Sequence, residues 1–523
     1  MLTALMACML ATSCGGGAAS LTSGGQHFSG NTAVNVMLSS TANDELALFS
    51  LQIQSLTLTG QSGNTVNLLA GQQQIEAIHV NDGIEPFVTA IVPQGIYTSA
   101  TATFGGSDFT CIEVIPPGYN VSGSLDISSY AYGYVPNPNV MVNLPAPLTI
   151  TGDNMVLTLN MQVLESASFD SCYPSSAYSI KPTFNLGVQS IAAAPTNSGN
   201  GKMSAYYGEV STLDPTVTKF SVTPSIFGGP VPGITVSVNS GTAYQGIGSF
   251  SELQVGQFVD MDAAVQSDGS LVATRIAVYD TSALNVMTGP LLQTYATYST
   301  FNTFGRQQQG QEYTPEPSTL GIYSFTGSTS FQISSQLNNL ANLPFPASFS
   351  GANMVPGQNM SVFSGTLTAY YGGETNVAST VTLVPQVIDG TILDISASTH
   401  GFTDYTVLLA DYDLFPDLAV QQGQVTLLTN PGIVEVYVDS NTQMLNTQAL
   451  AAGNTQRFYG LVFNDNGTLR MDCAQVDDGV AFAPTTNASA TNASKREVGD
   501  VQIVRHETAT GLKSPISVVT RSH

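Results

Sequence analysis

The sequence predicts an all-β protein: an N-terminal β-sandwich, then tandem small β-barrel-like domains, then a disordered C-terminal tail. Three observations predict it. Apolar and polar side chains alternate with a period of two along many short runs, most cleanly over Phe49-Ser50-Leu51-Gln52-Ile53-Gln54-Ser55-Leu56-Thr57-Leu58, the signature of a strand with one buried face. Glycine corners such as Asp268-Gly269 and Asn466-Gly467 separate these runs, and such dipeptides supply the positive φ that tight hairpins require. One strand–turn–strand unit also recurs at a spacing of about a hundred residues, too long for a solenoid and suited to a string of small domains.

The first domain is expected over 32–194. VNVMLSS, LALFSLQIQSLTLTG and VNLLAG read as strands. PFVTAIVPQGIYTSATATFG and ITGDNMVLTLNMQVL each combine a turn with strand-like runs, and many short strands with regular turns argue for a sandwich. AAPTNSGNGK, 193–202, reads as a linker.

The repeat is clearest in LQVGQFVDMDAAVQSDGSLVATRIAVYD, 253–280. LAAGNTQRFYGLVFNDNGTLRMDCAQVDD, 450–478, restates it: Gly453 matches Gly256, Val462 matches Val265, and Leu469 and Val476 match Leu271 and Val278. Upstream, GITVSVNSGT echoes GIVEVYVDSNT, and Gly208-Glu209-Val210 and Gly390-Thr391-Ile392 each open a strand. A fainter middle copy carries MVPGQNMSVFSG, GIYSFTGSTSF and NVASTVTLVPQVID. The units are placed at 203–284, 285–389 and 390–483. From 484 to 523 the chain is polar and low in aromatics, which predicts disorder; VQIVRHE, 501–507, is a candidate stray strand or partner-binding segment.

Only 9% of residues are charged, against about 25% in ordinary soluble domains. The net charge of −24, from 36 acidic and 12 basic side chains, repels phosphate backbones and argues against nucleic acid as a partner. The chain begins MLTALMACMLATSCGGG, a short apolar run, small residues and a Cys. This resembles the export signal of a bacterial lipoprotein. It implies cleavage before Cys14, a lipid anchor on that residue, a flexible tether over 14–31 and an outer-membrane address in the cell envelope. The basic residues usual at the start of such a signal are missing, and a plain secretory signal or a buried apolar segment is the alternative. Cys111 and Cys172 fall in one domain and are candidates for a disulfide, whereas Cys473 is expected to be a buried thiol on a strand.

Motifs with chemistry are scarce. No His-Glu-x-x-His, Gly-x-Ser-x-Gly, Cys-x-x-Cys or phosphate-loop sequence occurs. No catalytic residue, cofactor or metal is therefore assigned. His79 near Asp82 and Glu85 is read as a surface histidine beside turn carboxylates. Asp411, Asp413 and Asp417 form the densest acidic cluster, a weak calcium candidate without the glycine and terminal glutamate of an EF-hand loop. Tyr130, Tyr132 and Tyr134 alternate, so they would project from one side of a strand and could stack on a sugar ring or a protein partner.

Two family resemblances complete the reading. ALFSLQIQSLTL, IEAIHVNDG and VPQGIYTSATATF resemble the exported-lipoprotein family known as domain of unknown function 4382, over about 34–105. GEV, GITVSVNSGTAY, LQVGQFVDM and SDGSLVATRIAV resemble domain of unknown function 5666, over 203–280 and more faintly 390–480. Neither implies an activity. The expected role is a non-enzymatic interaction or scaffold module of the envelope, with an unknown protein or glycan partner. A carbohydrate- or small-ligand-binding protein is the alternative. A hydrolase would need two facing acids in a deep cleft.

Overall fold

The structure, a computed structural model, describes the chain from 28 to 477 with interruptions, the longest at 115–124, 167–177, 189–201, 225–232, 310–318, 366–375 and 420–427, together with 502–504 and 517–519. It is almost entirely β, as the alternation requires. Its described helices are single short turns such as Val163–Ser166 and Leu414–Ala419. No helix among the described residues is long and apolar enough to cross a membrane.

The N-terminal domain is a two-sheet sandwich. One sheet orders the strands Phe184–Val188, Asn154–Met161, Asn31–Ser40 and Glu85–Pro93. The other is built on two long neighbours, Leu46–Gly60 and Gly95–Cys111. Alternation along both sheets sends Val34, Val36, Leu157 and Leu159 against Leu51, Ile53, Leu56, Ala102 and Phe104. Phe104 and Phe184 stack at 5.4 Å within this core. Fully burying side chains of this size contributes about 1.5–3 kcal/mol each.

Three barrels follow, each built on six equivalent strands, and the middle one adds a seventh, Gln307–Gln309, paired with its first strand. The first comprises Lys202–Asp214, Lys219–Pro224, Ile234–Ser237, Ala243–Gln245, Phe258–Val265 and Leu271–Tyr279. The middle one comprises Asn285–Tyr295, Thr300–Gly305, Thr319–Ser324, Ser330–Ile333, Asn359–Ser364 and Asn376–Leu383. The third comprises Gln386–Ala397, Thr403–Leu409, Ile433–Val438, Gln443–Leu445, Thr455–Asp465 and Thr468–Asp477. In each, the first strand pairs antiparallel with the second and the fifth, the second with the third, and the fifth with the sixth. The third strand then lies parallel beside the sixth and closes the ring. This is the order of the five-stranded Greek-key barrel of OB folds. The short fourth strand continues the third along the sixth after a tight turn.

The likeness of the copies extends to single hydrogen bonds. The first strand bulges just after Val210, Leu291 and Ile392. At that point the amides of Gly256, Gly357 and Gly453 donate to the carbonyls of those three residues, at 2.8, 2.8 and 2.7 Å. The three glycines have φ of 88°, 100° and 88°, a left-handed region open to few other residues. Thr242, Thr329 and Thr442 donate through Oγ1 to the carbonyls of Ala273, Ala378 and Cys473, at 2.7, 2.7 and 2.8 Å. The fainter middle copy thus repeats the same frame.

Two details differ from expectation. Gly208 and Gly390 lie inside their strands rather than opening them, where a Cβ would meet Thr223 O at 2.5 Å and Leu408 O at 2.4 Å. They permit a close crossing of the second strand. The sixth strand of the third barrel is also shifted by two residues from the sequence match: Met471, not Leu469, occupies the place of Leu271, since Val436 pairs with Met471 as Val236 pairs with Leu271. The cause is a longer hairpin, which extends to Asp465↔Thr468 and turns on Asn466 and Gly467, both at positive φ. Of 484–523, expected to be disordered, the described residues are two short strands, Gln502–Val504 and Ser517–Val519, paired antiparallel. The first of these is the strand suspected in 501–507.

Candidate interaction faces and buried polar seams

The outer faces of the barrels carry the polar chemistry. On the first barrel, the outer face of the second and third strands is open. Thr223 and Thr235 are exposed, and Ser221 Oγ lies 3.1 Å from Thr235 Oγ1. Ser211 and Lys219 border this strip of hydroxyls.

Other outward-facing residues form contacts between barrels. Between the first and second, Tyr207 OH is 2.8 Å from Ser361 Oγ, which is 2.7 Å from Thr288 Oγ1. Tyr207, Phe258, Val286 and Phe363 form an apolar patch beside them, with Tyr279 packed 4.9 Å from Phe363. Arg275 ties two carboxylates together behind this patch, with Nη2 2.8 Å from Asp260 Oδ2 and Nε 2.6 Å from Asp262 Oδ2. Burial pushes Asp260 up to about 6 against the pull of Arg275, with Asp262 adding to the rise. Burial also raises the Tyr207 phenol well above its usual range.

Between the second and third barrels, the connection ahead of the middle barrel's fifth strand forms a strap, 340–349, over the outer face of the third. Phe345 sits 5.1 Å from Tyr437 and 5.6 Å from Phe463, and the Arg470 guanidinium lies 5.6 Å from the Phe345 ring. Gln358 Nε2 donates to Val462 O at 2.9 Å in the same seam. On the neighbouring second and third strands of the third barrel, Thr406 Oγ1 donates to Glu435 Oε2 at 3.2 Å. Arg470 binds Tyr437 OH and, through Nε, Asp465 Oδ2 at 2.8 Å. Burial, then Asp404, pushes Glu435 up to about 8. Burial, then Asp439, pushes Asp472 up to about 7. Elsewhere in the third barrel, Arg457 and Asp389 form an ion pair at 2.9 Å with side-chain exposures of 0% and 3%. The sheet register gives these two residues the places of Asp260 and Tyr207 in the first barrel.

The sequence candidates are not gathered into one site. Tyr130–Tyr134 is a strand paired with Gly95–Cys111 on one side and with Tyr178–Ser179 on the other. Backbone alternation puts its three tyrosines on one face; their side chains lie outside the described residues. Cys14, Cys172, His79, Asp82 and Asp411 also lie outside them, as do the side chains of Cys111 and Asp417. Glu85, expected in a turn, begins a strand and is buried. Asp413 lies in the turn before Leu414–Ala419, and its Oδ2 accepts from the Ala410 amide at 3.1 Å. Among the described residues, no group of three or more His, Cys, Asp or Glu is placed to hold a metal ion. Cys473 is a buried free thiol on a strand, its pKa raised chiefly by burial.

The seam residues Tyr207, Asp260, Arg275, Asp389, Arg457, Glu435 and Arg470 were not singled out from sequence. The available signal was Arg457 and Arg275 inside strand-like runs of a chain with only 12 basic side chains.

Comparison with known proteins places residues 207–277, nearly all of the first barrel, in the family described as a domain of unknown function, DUF5666. No curated protein matches the chain. Among solved structures, a deletion mutant of the single-stranded DNA binding protein from Thermus aquaticus aligns at 12% identity and a TM-score of 0.14, over 39% of this chain and 98% of that one. At that score the likeness carries no argument.

Proposed function

We propose that the protein is a non-enzymatic interaction or scaffold module of the bacterial cell envelope, exported and anchored through a lipid on Cys14. The observation that carries this reading is where the reactive side chains go. The charged and phenolic groups that could support chemistry, Tyr207, Asp260, Arg275, Asp389, Arg457, Glu435 and Arg470, are tied up in seams and ion pairs. Asp404 and Glu435 lie on neighbouring strands, where Asp404 pairs with Tyr437 and Thr406 with Glu435, and Asp404 is buried. What the first barrel leaves open is a neutral hydroxyl strip, suited to adhesion rather than to acid–base work. The resemblance of the first domain to the 4382 family belongs to the same reading, and the net charge of −24 sets it apart from nucleic-acid binders.

The test is metabolic labelling of the full chain with a fatty-acid probe in a diderm bacterial host, beside Cys14→Ser. The proposal expects label in the membrane fraction for the native chain and none for the variant. Equal labelling of both would end it.

A second reading, carbohydrate or small-ligand binding, is favoured by the open second- and third-strand face, since OB barrels take ligands there, and by the shared face of Tyr130, Tyr132 and Tyr134. A glycan screen that gives a signal lost on Tyr132→Ala supports it, and a screen with no signal removes it.

A further inference from the structure

We propose that the outer face of the sandwich sheet built on Leu46–Gly60 and Gly95–Cys111 is a docking surface for a neutral polysaccharide. This surface deepens the carbohydrate reading, on which it rests, and belongs to the sandwich rather than to a barrel. Alternation defines it. Leu56 and Leu58 on one long strand, and Ala100, Ala102 and Phe104 on the other, lie in the core, so the residues between them face out.

The strand register sets these residues in rows. Asn67, Thr57, Thr101 and Met141 form one row across four strands. Thr65, Thr59 and Ser99 form the next row on one side. Ser55, Thr103 and Asn139 form the next on the other side. Rows two residues apart are spaced by about 6.8 Å, and neighbouring strands by about 4.8 Å. Seven of these ten side chains carry a hydroxyl, two are amides, and none is ionisable. Thr65, Asn67 and Asn139 are exposed, Met141 is 67% exposed, and the other hydroxyls are half-buried.

The grid is already ordered. Ser55 Oγ donates to Thr103 Oγ1 at 3.0 Å, and Thr103 Oγ1 donates to Asn139 Oδ1 at 3.0 Å. Asn67 Oδ1 accepts from the Leu56 and Leu69 amides at 3.0 and 3.2 Å, which leaves its amide nitrogen as a donor. Side chains held in place beforehand lose little freedom when a ligand lands. The outer face of the other sandwich sheet, by contrast, has its partner within the chain. Met37 and Val156 join the core cluster of the first barrel, and Asn35 Nδ2 donates to Asp268 O at 2.7 Å.

The chemistry of the open face selects its occupant. A charged partner finds no counter-charge on these rows, and the net charge of −24 repels an anionic one. A protein partner buries an apolar or aromatic centre, and Met141 is the one large apolar side chain in the grid. A neutral sugar matches what is there. Its hydroxyls exchange hydrogen bonds with Ser and Thr, which both donate and accept, while its C–H face rests on threonine methyls and on Met141. Each such contact is weak in water, so the ligand is a chain that spans several rows rather than a single ring.

The experiment is binding of the full chain to insoluble cellulose and chitin, and to soluble neutral glucans and mannans by affinity electrophoresis, with alginate and heparin as anionic comparisons. The expected result is binding to at least one neutral polymer, unchanged by added salt, and none to the anionic ones. Thr101→Lys, at the centre of the grid, is expected to weaken binding by roughly tenfold or more. Met141→Lys, at an exposed position that makes little demand on the fold, is expected to weaken it in the same direction. Val217→Lys, exposed on the first barrel, adds the same charge elsewhere and is expected to bind as the native chain does. Binding kept by both grid variants but lost on Tyr132→Ala or Thr235→Lys would overturn this surface and leave the carbohydrate reading standing. Binding kept by every variant, or stronger on alginate or heparin, would also overturn it. Failure of the native chain to bind any neutral polymer would remove both.

Discussion

The first and third barrels share a frame and differ in what lies on it. In both, the same glycine turn closes the same bulge and the same threonine caps the same carbonyl. Yet Tyr207 and Asp260 in the first give way to Asp389 and Arg457 in the third, and the open hydroxyl strip of the first has no counterpart beneath the strap of the third. Backbone hydrogen bonds and glycines hold the fold constant, which leaves the outward positions of each strand free to specify the neighbour.

The comparison can be broken most sharply at the third barrel. Arg457→Leu leaves Asp389 buried without its counter-charge, and removing one partner of such a pair costs about 3–5 kcal/mol. Denaturant unfolding should show it, and a change within experimental error would mean that the pair is hydrated. Next is the shared frame. Gly289 lies two residues before the bulge at Leu291, as Gly208 and Gly390 lie before Val210 and Ile392; a Cβ there would lie 1.7 Å from Phe304 O, so Gly289→Ala should lower stability by about 2–3 kcal/mol. Gly327→Ala, with nothing near its Cβ, should change little by the same assay. A smaller effect, about 1 kcal/mol, is expected for Thr242→Val, which removes the 2.7 Å bond to Ala273 O.

Stability should also fall as pH rises. Asp260 is raised from 3.8 to about 6 at the first seam, and Asp472 to about 7 and Glu435 to about 8 at the second. Each acid whose folded value is raised stabilises the fold fully below its unfolded value and loses that contribution up to its folded one. The window is thus from about pH 4 to about pH 8, and self-repulsion in a chain with 36 acidic and 12 basic residues acts in the same sense. A Tm lower at pH 8 than at pH 5 checks this, and a flat profile would show that these groups are hydrated.

Much of the architecture could be read without coordinates because its signals are local. Gly256, Gly357 and Gly453 stand out because positive φ at a fixed place leaves few alternatives to glycine, and the alternation around Phe49 to Leu58 sets a strand face directly. The two-residue offset at Met471 escaped because a period of two leaves such a slip invisible: Leu469 faces the core just as Met471 does. The seams escaped for a different reason. Asp389 and Arg457 sit where a strand normally meets water, and only the fold around them makes those positions dry. Tyr130, Tyr132 and Tyr134 show the converse case, in which alternation fixes a shared face without saying what meets it.

The claim on which this account rests is that adjoining barrels are joined by specific polar contacts between their outer strand faces. A double-mutant cycle on Tyr207→Phe and Ser361→Ala, read by equilibrium unfolding of the full chain, tests it directly, since these side chains belong to different barrels and meet at 2.8 Å. The account predicts a coupling energy of about 1 kcal/mol; strictly additive effects would contradict it.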